Sequence, residues 1–230
     1  MRHRQHAVAA TAAAAAVLVA TFIGGPDRAT ADDTVLLGGG AGIMVDGNFC
    51  TLATIGHDGA DELVGFTSAH CGGPGAQVVA EGAESHGTVG SVSTTNGDLA
   101  YAVIRFDPAK VAPIANFGGF IINGIGPDPS YQQPACTLGG ATGPGCGAIT
   151  LATVKPGIIG TKVPAWQPGN YGAPVTVNDQ LVGLTQNGAN IVETALLRVV
   201  THINVTLFSA IINDMNAKGG PGAGFSPIPA

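Results

Sequence analysis

Two stretches of the chain combine residue type and local setting in ways that could do chemistry. The first is Phe66-Thr67-Ser68-Ala69-His70-Cys71, where a strand-like run leads straight into a histidine, a cysteine and the turn Gly72-Gly73-Pro74-Gly75. An imidazole fixed at a strand end by a neighbouring disulfide is a good mount for a general base. A structural histidine beside a structural cystine is the competing reading. The second stretch is Pro168-Gly169-Asn170-Tyr171-Gly172-Ala173-Pro174-Val175. Gly169 and Gly172 leave the backbone free to bend tightly and to present its N–H groups. Between these stretches lies Asp98, which opens a strongly alternating segment after Asn96-Gly97. Taken alone it reads as a turn-capping aspartate.

These residues need elements to hold them, and the sequence supplies short strands. From Thr34 to Phe106 the candidates are Thr34–Leu37, Gly42–Val45, Cys50–Ile55, Leu63–Thr67, Gln77–Ala80, His86–Val92 and Leu99–Phe106. Asp46-Gly47, Asp58-Gly59, Gly72-Gly73-Pro74-Gly75 and Asn96-Gly97 separate them as turns. Strands at this spacing suggest a small barrel or sandwich. Residues 108–129 are proline-rich and read as a connection, with a boundary between halves near 118–128. Further strands are expected over Ala148–Val154, Gln180–Gly188 and Ile191–Ile203. Asn204 then reads as the cap of a helix with Val205, Phe208, Ile211, Ile212 and Met215 on one face, stopped at Gly219–Pro221. Residues 219–230 are rich in glycine and proline and read as a disordered tail.

The first 31 residues read as an export signal. A basic start (Arg2, His3, Arg4, His6) precedes an apolar or small run from Ala7 to Ile23, and Ala29-Thr30-Ala31 gives a cleavage site before Asp32. A secreted or cell-envelope location follows, with no stable membrane span once the signal is cleaved. Removing residues 1–31 lowers the basic count from 9 to 6 and the acidic count from 15 to 14, leaving a net charge of −8. Six scattered cations give no patch for a phosphate backbone, which argues against nucleic-acid binding.

Cys50, Cys71, Cys136 and Cys146 make an even count in an exported chain and suggest two disulfides, for which the count alone allows three pairings. A metal site is not expected. There is no C-x-x-C and no H-E-x-x-H, and the histidines are scattered. No cofactor is implied.

Several of these stretches together resemble the chymotrypsin-like serine proteases. Phe66–Cys71 is similar to that family's T-A-A-H-C motif, with Ser68 in place of an alanine. Asn96–Ile104 resembles the segment carrying the family's buried aspartate. Cys136-Thr137-Leu138-Gly139-Gly140-Ala141-Thr142-Gly143-Pro144-Gly145-Cys146-Gly147 resembles the C-x-x-G-x-x-T-G-x-x-C-G hairpin of the secreted bacterial branch, the streptogrisins and alpha-lytic protease. Gln180–Gly188 resembles the strand ending G-L-T-S-G-G. Residues 168–175 resemble the nucleophile turn P-G-D-S-G-G-P-V at five of eight positions, but Tyr171 stands where the family has its serine.

The resemblance covers about residues 34–217 and implies an all-β fold: two packed six-stranded antiparallel Greek-key β-barrels with a short C-terminal helix. It places an N-terminal barrel over 32–118 and a C-terminal barrel plus helix over 119–218. It implies the pairings Cys50–Cys71 and Cys136–Cys146. It makes His70 the base and Asp98 the group that orients it, with the N–H groups of Gly169 and Tyr171 as an oxyanion hole. Thr185, Gln186, Asn187 and Gly188 become the strand that pairs with an extended substrate. Gln186 replaces the serine that supports the aspartate in the family, and Asn187 replaces a glycine.

A tyrosine is a poor substitute for that serine, because its phenol reaches several ångströms further and fills the space of a substrate carbonyl. The reading is a secreted serine-endopeptidase homologue, inactive or severely impaired, that keeps a groove for a peptide or protein ligand and acts as a monomer. The alternatives are an active hydrolase of unusual mechanism and a pure peptide-binding module. No G-x-S-x-G occurs in the chain to support the first of these.

Overall fold

Runs of β-branched residues broken by glycine turns become strands along most of the chain. The computed structural model describes residues 34–150, 155–164, 167–194 and 197–230, and the side chains of 187–201 are not among what it describes. The expected signal segment lies outside the described residues, as does most of the strand expected over Ala148–Val154.

The N-terminal half holds β1 (Val35–Leu37), β2 (Gly42–Val45), β3 (Asn48–Thr51), β4 (Thr54–His57), β5 (Leu63–Ser68), β6 (Gln77–Ala80), β7 (Thr88–Asn96), β8 (Tyr101–Phe106) and β9 (Val111–Pro113). The expected single strand Cys50–Ile55 is two strands joined at Leu52–Ala53. β3 pairs with β2, and β4 with β5. This change of partner bends one continuous segment around the barrel. With β3 and β4 counted as that one segment, the order β4-β5-β8-β7-β6-β2-β3 makes a six-stranded closed barrel.

Two small strands follow, β10 (Asn116–Phe117) and β11 (Phe120–Ile121). The C-terminal half contains β12 (Pro134–Gly139), β13 (Gly143–Ala148), β14 (Ile158–Thr161), β15 (Pro174–Val177), β16 (Gln180–Thr194) and β17 (Leu197–Leu207). They are ordered β13-β12-β15-β16-β17-β14. A bridge between Ile149 and Thr161 closes the ring, helped by the Lys162 N–H donating to the Ala148 carbonyl at 2.9 Å. The expected two-barrel all-β fold is borne out, as are both disulfides, Cys50–Cys71 and Cys136–Cys146.

The helix starts later than expected. α1 spans Phe208–Lys218 and buries Phe208, Ile211 and Met215. Asn204 pairs with Gly160 inside β17 instead of capping the helix. The run Val199–Thr206 is β-branched at most positions, which suits a strand beside β14 and β16 better than a helical turn. The expected strand Ile191–Ile203 is likewise divided by a hairpin, since Thr194 pairs with Leu197 and Glu193 with Arg198.

The tail is packed rather than disordered. β18 (Ser226–Pro227) adds antiparallel to the outer edge of β4. Phe225 is 7 % exposed and meets the rings of Phe66 and Phe208 edge-on, at centroid distances of 4.8 and 6.0 Å. The N–H of Gly222 donates to Asp58 Oδ2 at 3.1 Å. An aromatic contact, a backbone clamp and a short strand pairing together order a glycine-rich segment that lacks any periodic signal.

The interface between halves is an apolar layer in which Phe66, Tyr101 and Val103 of the first barrel meet Leu181 and Leu184 of the second, with Phe208 and Ile211 of α1. Phe66 is fully buried, and a side chain of that size contributes roughly 1.5–3 kcal/mol. Its strand β5 is buried along its whole length and ends two residues before His70. A strand buried along its whole length therefore sets the position of the candidate base.

Candidate active-site region

β5 delivers His70 through a tight corner. Ser68 pairs with Tyr101, and the Ala69 N–H continues the ladder to the Ala100 carbonyl at 3.0 Å. The Cys71 N–H then turns back to the Ser68 carbonyl at 3.0 Å, and the His70 N–H donates to Ser68 Oγ at 3.3 Å. Ser68 and Cys71 are both fully buried, so the exposed His70 is presented between two fixed points. The disulfide to Cys50 and the hydrogen bond from Asn48 Nδ2 to the Cys71 carbonyl lock the far side of the corner.

The 168–175 turn comes to the same place. The Tyr171 ring lies edge-on to the His70 ring at a centroid distance of 6.2 Å. Gly169 and Gly172 have φ of +94° and +87°, in the left-handed region open to glycine. A Cβ on Gly172 would also run into Thr67 Oγ1 and, at 2.5 Å, the Thr51 carbonyl. Thr51 is the anchor on the first barrel: its hydroxyl donates to the Gly169 carbonyl at 2.7 Å and its N–H to the Tyr171 carbonyl at 2.9 Å.

On the second barrel the anchor is Thr185. Its hydroxyl donates to the Asn170 carbonyl at 2.6 Å and accepts the Ala173 N–H at 3.0 Å. A trans peptide sets the N–H of one residue opposite the carbonyl of the residue before it. The Asn170 carbonyl is held on Thr185, so the Tyr171 N–H faces the other way. Neither the Gly169 nor the Tyr171 N–H has an acceptor among the described residues.

Asn170 is an anchor of the turn that sequence reasoning passed over. It is 0 % exposed. Its Oδ1 accepts the Ala141 N–H at 3.1 Å and its Nδ2 donates to Thr142 Oγ1 at 3.0 Å. It thereby ties the 168–175 turn to the tip of the β12–β13 hairpin. The signal was present, since the motif it resembles has an acid at that position. An uncharged amide meets its needs with neutral partners.

Asp98 is placed differently from His70. It is exposed, and among the described residues no hydrogen bond or ion pair joins its carboxylate to His70. The N–H groups of Asp98 and Leu99 both donate to Asn96 Oδ1, at 2.9 and 3.1 Å, so the segment is an Asx turn. Nearby, Asp214 Oδ2 accepts from Asn96 Nδ2, the Tyr101 hydroxyl and Lys218 Nζ at 2.8, 2.7 and 2.8 Å. Burial acts to raise the Asp214 pKa, but hydrogen bonds from Lys218, Tyr101 and Asn96 outweigh it and hold the carboxyl below its usual range. Burial, followed by the Asp214 hydrogen bond and charge, pushes the Tyr101 phenol above its ordinary value.

The four expected substrate-strand residues are not equivalent. Thr185 is committed to the fold: it pairs with Val205, accepts the Gly172 N–H at 2.8 Å and donates to the Ala173 carbonyl at 2.9 Å. Gln186 is buried and sends its amide to the Leu99 carbonyl at 3.2 Å and to Thr206 Oγ1. Pairing with β17 skips from Thr185–Val205 to Ala189–Ile203, so Gln186, Asn187 and Gly188 leave the ladder as a bulge. β15 ends its pairing with β16 at Pro174–Leu184, so the edge of β16 beyond Thr185 has no partner strand among the described residues.

Two closed barrels with a C-terminal helix, and a corner histidine opposite a double-glycine turn, make this the chymotrypsin-like fold. No protein-family model matches the chain, and no curated protein matches it in sequence. Among solved structures it is similar to protease A of Thermobifida fusca, with 16 % identity, a TM-score of 0.61, and coverage of 79 % of this chain and 97 % of that one. It is similar to the chymotrypsin of Cellulomonas bogoriensis at 22 % identity and a TM-score of 0.59, over 85 % of this chain and all of that one. An alpha-lytic protease homolog, N4, gives 21 % identity and a TM-score of 0.61, over 80 % and 98 % of the two chains. At these identities the likeness is one of fold.

Proposed function

We propose that the protein is an exported, protease-fold peptide binder that does not cleave what it binds. The observation that carries this reading is the 168–175 turn. It has the double-glycine geometry and outward N–H groups of a nucleophile turn, yet it presents Tyr171 to His70 in place of a small hydroxyl. Asp98 supports the same conclusion independently, because its carboxylate lies in solvent with no bond to His70. A hydrolase of this kind stripped of its serine loses about 10⁶-fold in turnover, roughly 8 kcal/mol of barrier.

The unpaired edge of β16 after Thr185 supports binding. An extended peptide can add there as a further strand, with main-chain hydrogen bonds supplying affinity. Export is supported by the basic–apolar–small N-terminal pattern and by two disulfides, which persist in oxidising surroundings. The ligand is a peptide or an extended protein segment, and the binder is a monomer.

Wild-type protein incubated with casein and with a fluorophosphonate serine probe tests the proposal. Neither hydrolysis nor labelling is expected. Labelling, or casein fragments that persist after repurification, would remove the non-cleaving reading.

A further inference from the structure

We propose that Gln186 is a positioning residue that keeps the Asp98 carboxylate away from His70, so that the chain carries a second barrier to hydrolysis besides Tyr171. This rests on the non-cleaving reading above. The turn bearing Asp98 is held from three elements of the other half. The Leu99 carbonyl accepts both Thr206 Oγ1 from β17, at 2.6 Å, and Gln186 Nε2 from β16, at 3.2 Å. Gln186 Nε2 also meets Thr206 Oγ1, which makes a closed three-membered polar cluster. From α1, Asp214 holds Asn96, and Asn96 holds the N–H groups of Asp98 and Leu99.

The backbone shows the cost of this arrangement. Ala100 has φ of +53°, a left-handed conformation that an L-residue adopts at roughly 1–2 kcal/mol. Strain of that kind persists where surrounding contacts over-determine it. Gln186 is 7 % exposed and Thr206 is 0 % exposed, so both donors to the Leu99 carbonyl are buried side chains although Leu99 itself is partly exposed. The result is an aspartate whose N–H is tied into the turn while its carboxylate is turned outward. Any imidazole at His70 then works without an orienting carboxylate.

A serine at 186 is too short to reach the Leu99 carbonyl. Its introduction leaves Thr206 as the only side chain on that carbonyl and vacates buried space beside the turn. Thr206 and the Asp214–Asn96 pair still anchor the turn, so loss of the Gln186 contact loosens it without releasing it, and Ala100 relaxes as the Asp98 carboxylate turns toward the His70 side.

The test uses the full mature chain in four forms: wild type, Tyr171→Ser, Gln186→Ser and the double variant. Fluorophosphonate labelling rates and the low-field proton spectrum are read on each. Loss of the orienting aspartate costs triad hydrolases on the order of 10⁴-fold. The double variant is therefore expected to label on the order of 10³–10⁴ times faster than Tyr171→Ser, which labels slowly but above the wild type, since it has the serine and lacks only the orienting carboxylate. Gln186→Ser alone is expected to show a new low-field imidazole N–H proton, the signature of a histidine–carboxylate hydrogen bond. A merely structural residue would not produce it. Labelling of Tyr171→Ser as fast as the double variant overturns the proposal, as does the absence of both the new proton and the rate gain. Should Gln186→Ser fail to fold, Gln186→Thr serves the same comparison with more of the buried volume filled. Labelling of the wild type would instead refute the non-cleaving reading and is scored separately.

Discussion

Replacing Asn170 by aspartate exchanges one oxygen-bearing side chain for another of nearly the same shape, and puts a charge where the fold has arranged for none. Asn170 is fully buried between Ala141, Thr142 and Gly139. An aspartate keeps the acceptor for the Ala141 N–H and loses the N–H donated to Thr142. Neither of the described ion pairs, Arg105–Glu62 and Lys218–Asp214, involves this turn. Burial without a cation raises a carboxyl pKa, and a tenfold change in proton affinity corresponds to about 1.4 kcal/mol. A hundredfold tighter hold on the proton therefore costs about 2.7 kcal/mol at neutral pH, to which the lost hydrogen bond adds about 1 kcal/mol.

The sign follows from proton binding. Between the unfolded and the raised folded pKa, the folded form of Asn170→Asp holds more protons, so its stability falls as pH rises through that window. The variant should therefore lie within about 1 kcal/mol of wild type near pH 4 and fall behind by roughly 3–4 kcal/mol at pH 7. Urea unfolding at the two pH values measures this. A difference from wild type that is the same at both pH values would refute the buried, uncharged role assigned to Asn170.

Phe225→Ala should destabilise the protein by about 3 kcal/mol, the usual loss for a buried phenylalanine, unless the tail detaches first and limits the cost. Hydrogen exchange at Gly56 and His57, on the edge that β18 covers, separates these cases, and unchanged stability with unchanged exchange would contradict the packed tail. Asp58 gives a second handle on the same tail. Burial acts to raise its pKa, but the N–H groups of Gly222, Glu62 and Ala60, with the Arg105 charge, outweigh it and hold the carboxyl low. Its contribution is complete above the ordinary carboxylate range near 4 and fades as pH falls through the lower folded value. Tail amides in wild type should lose protection below about pH 4, and Asp58→Asn should show weaker protection with no such step. Gly172→Ala should fail to accumulate as folded protein, because φ of +87° and the close Thr51 carbonyl both exclude a Cβ; normal thermal unfolding of that variant would contradict the turn geometry.

How far the sequence could be read depended on whether the controlling contact was local. β2 and β6 match the expected strands residue for residue, because alternation bounded by Asp46-Gly47 and by Gly/Pro turns is a local signal. The boundary between β17 and α1 was misplaced because Val205, Phe208 and Ile211 fit a helical face, while Asn204 is claimed by Gly160, more than forty residues earlier. The tail carries no period at all, and its order comes from Phe66, Phe208 and Asp58, which are remote in sequence. In the site, His70 and the 168–175 turn were legible because each brings its own turn and glycine chemistry. The outward placement of Asp98 was not, because the turn that carries it is contacted by Gln186, Thr206 and Asp214 from the other half.

The central claim is binding without cleavage, and one measurement addresses both parts. Purified wild-type protein is immobilised, exposed to a defined mixture of synthetic peptides, washed and eluted, and both the eluate and the flow-through are read by mass spectrometry. A subset of peptides retained at full length, with no shortened products in either fraction, is the predicted result. Matched peptide fragments that increase with incubation time, and that are absent from a parallel incubation without the protein, would contradict the account.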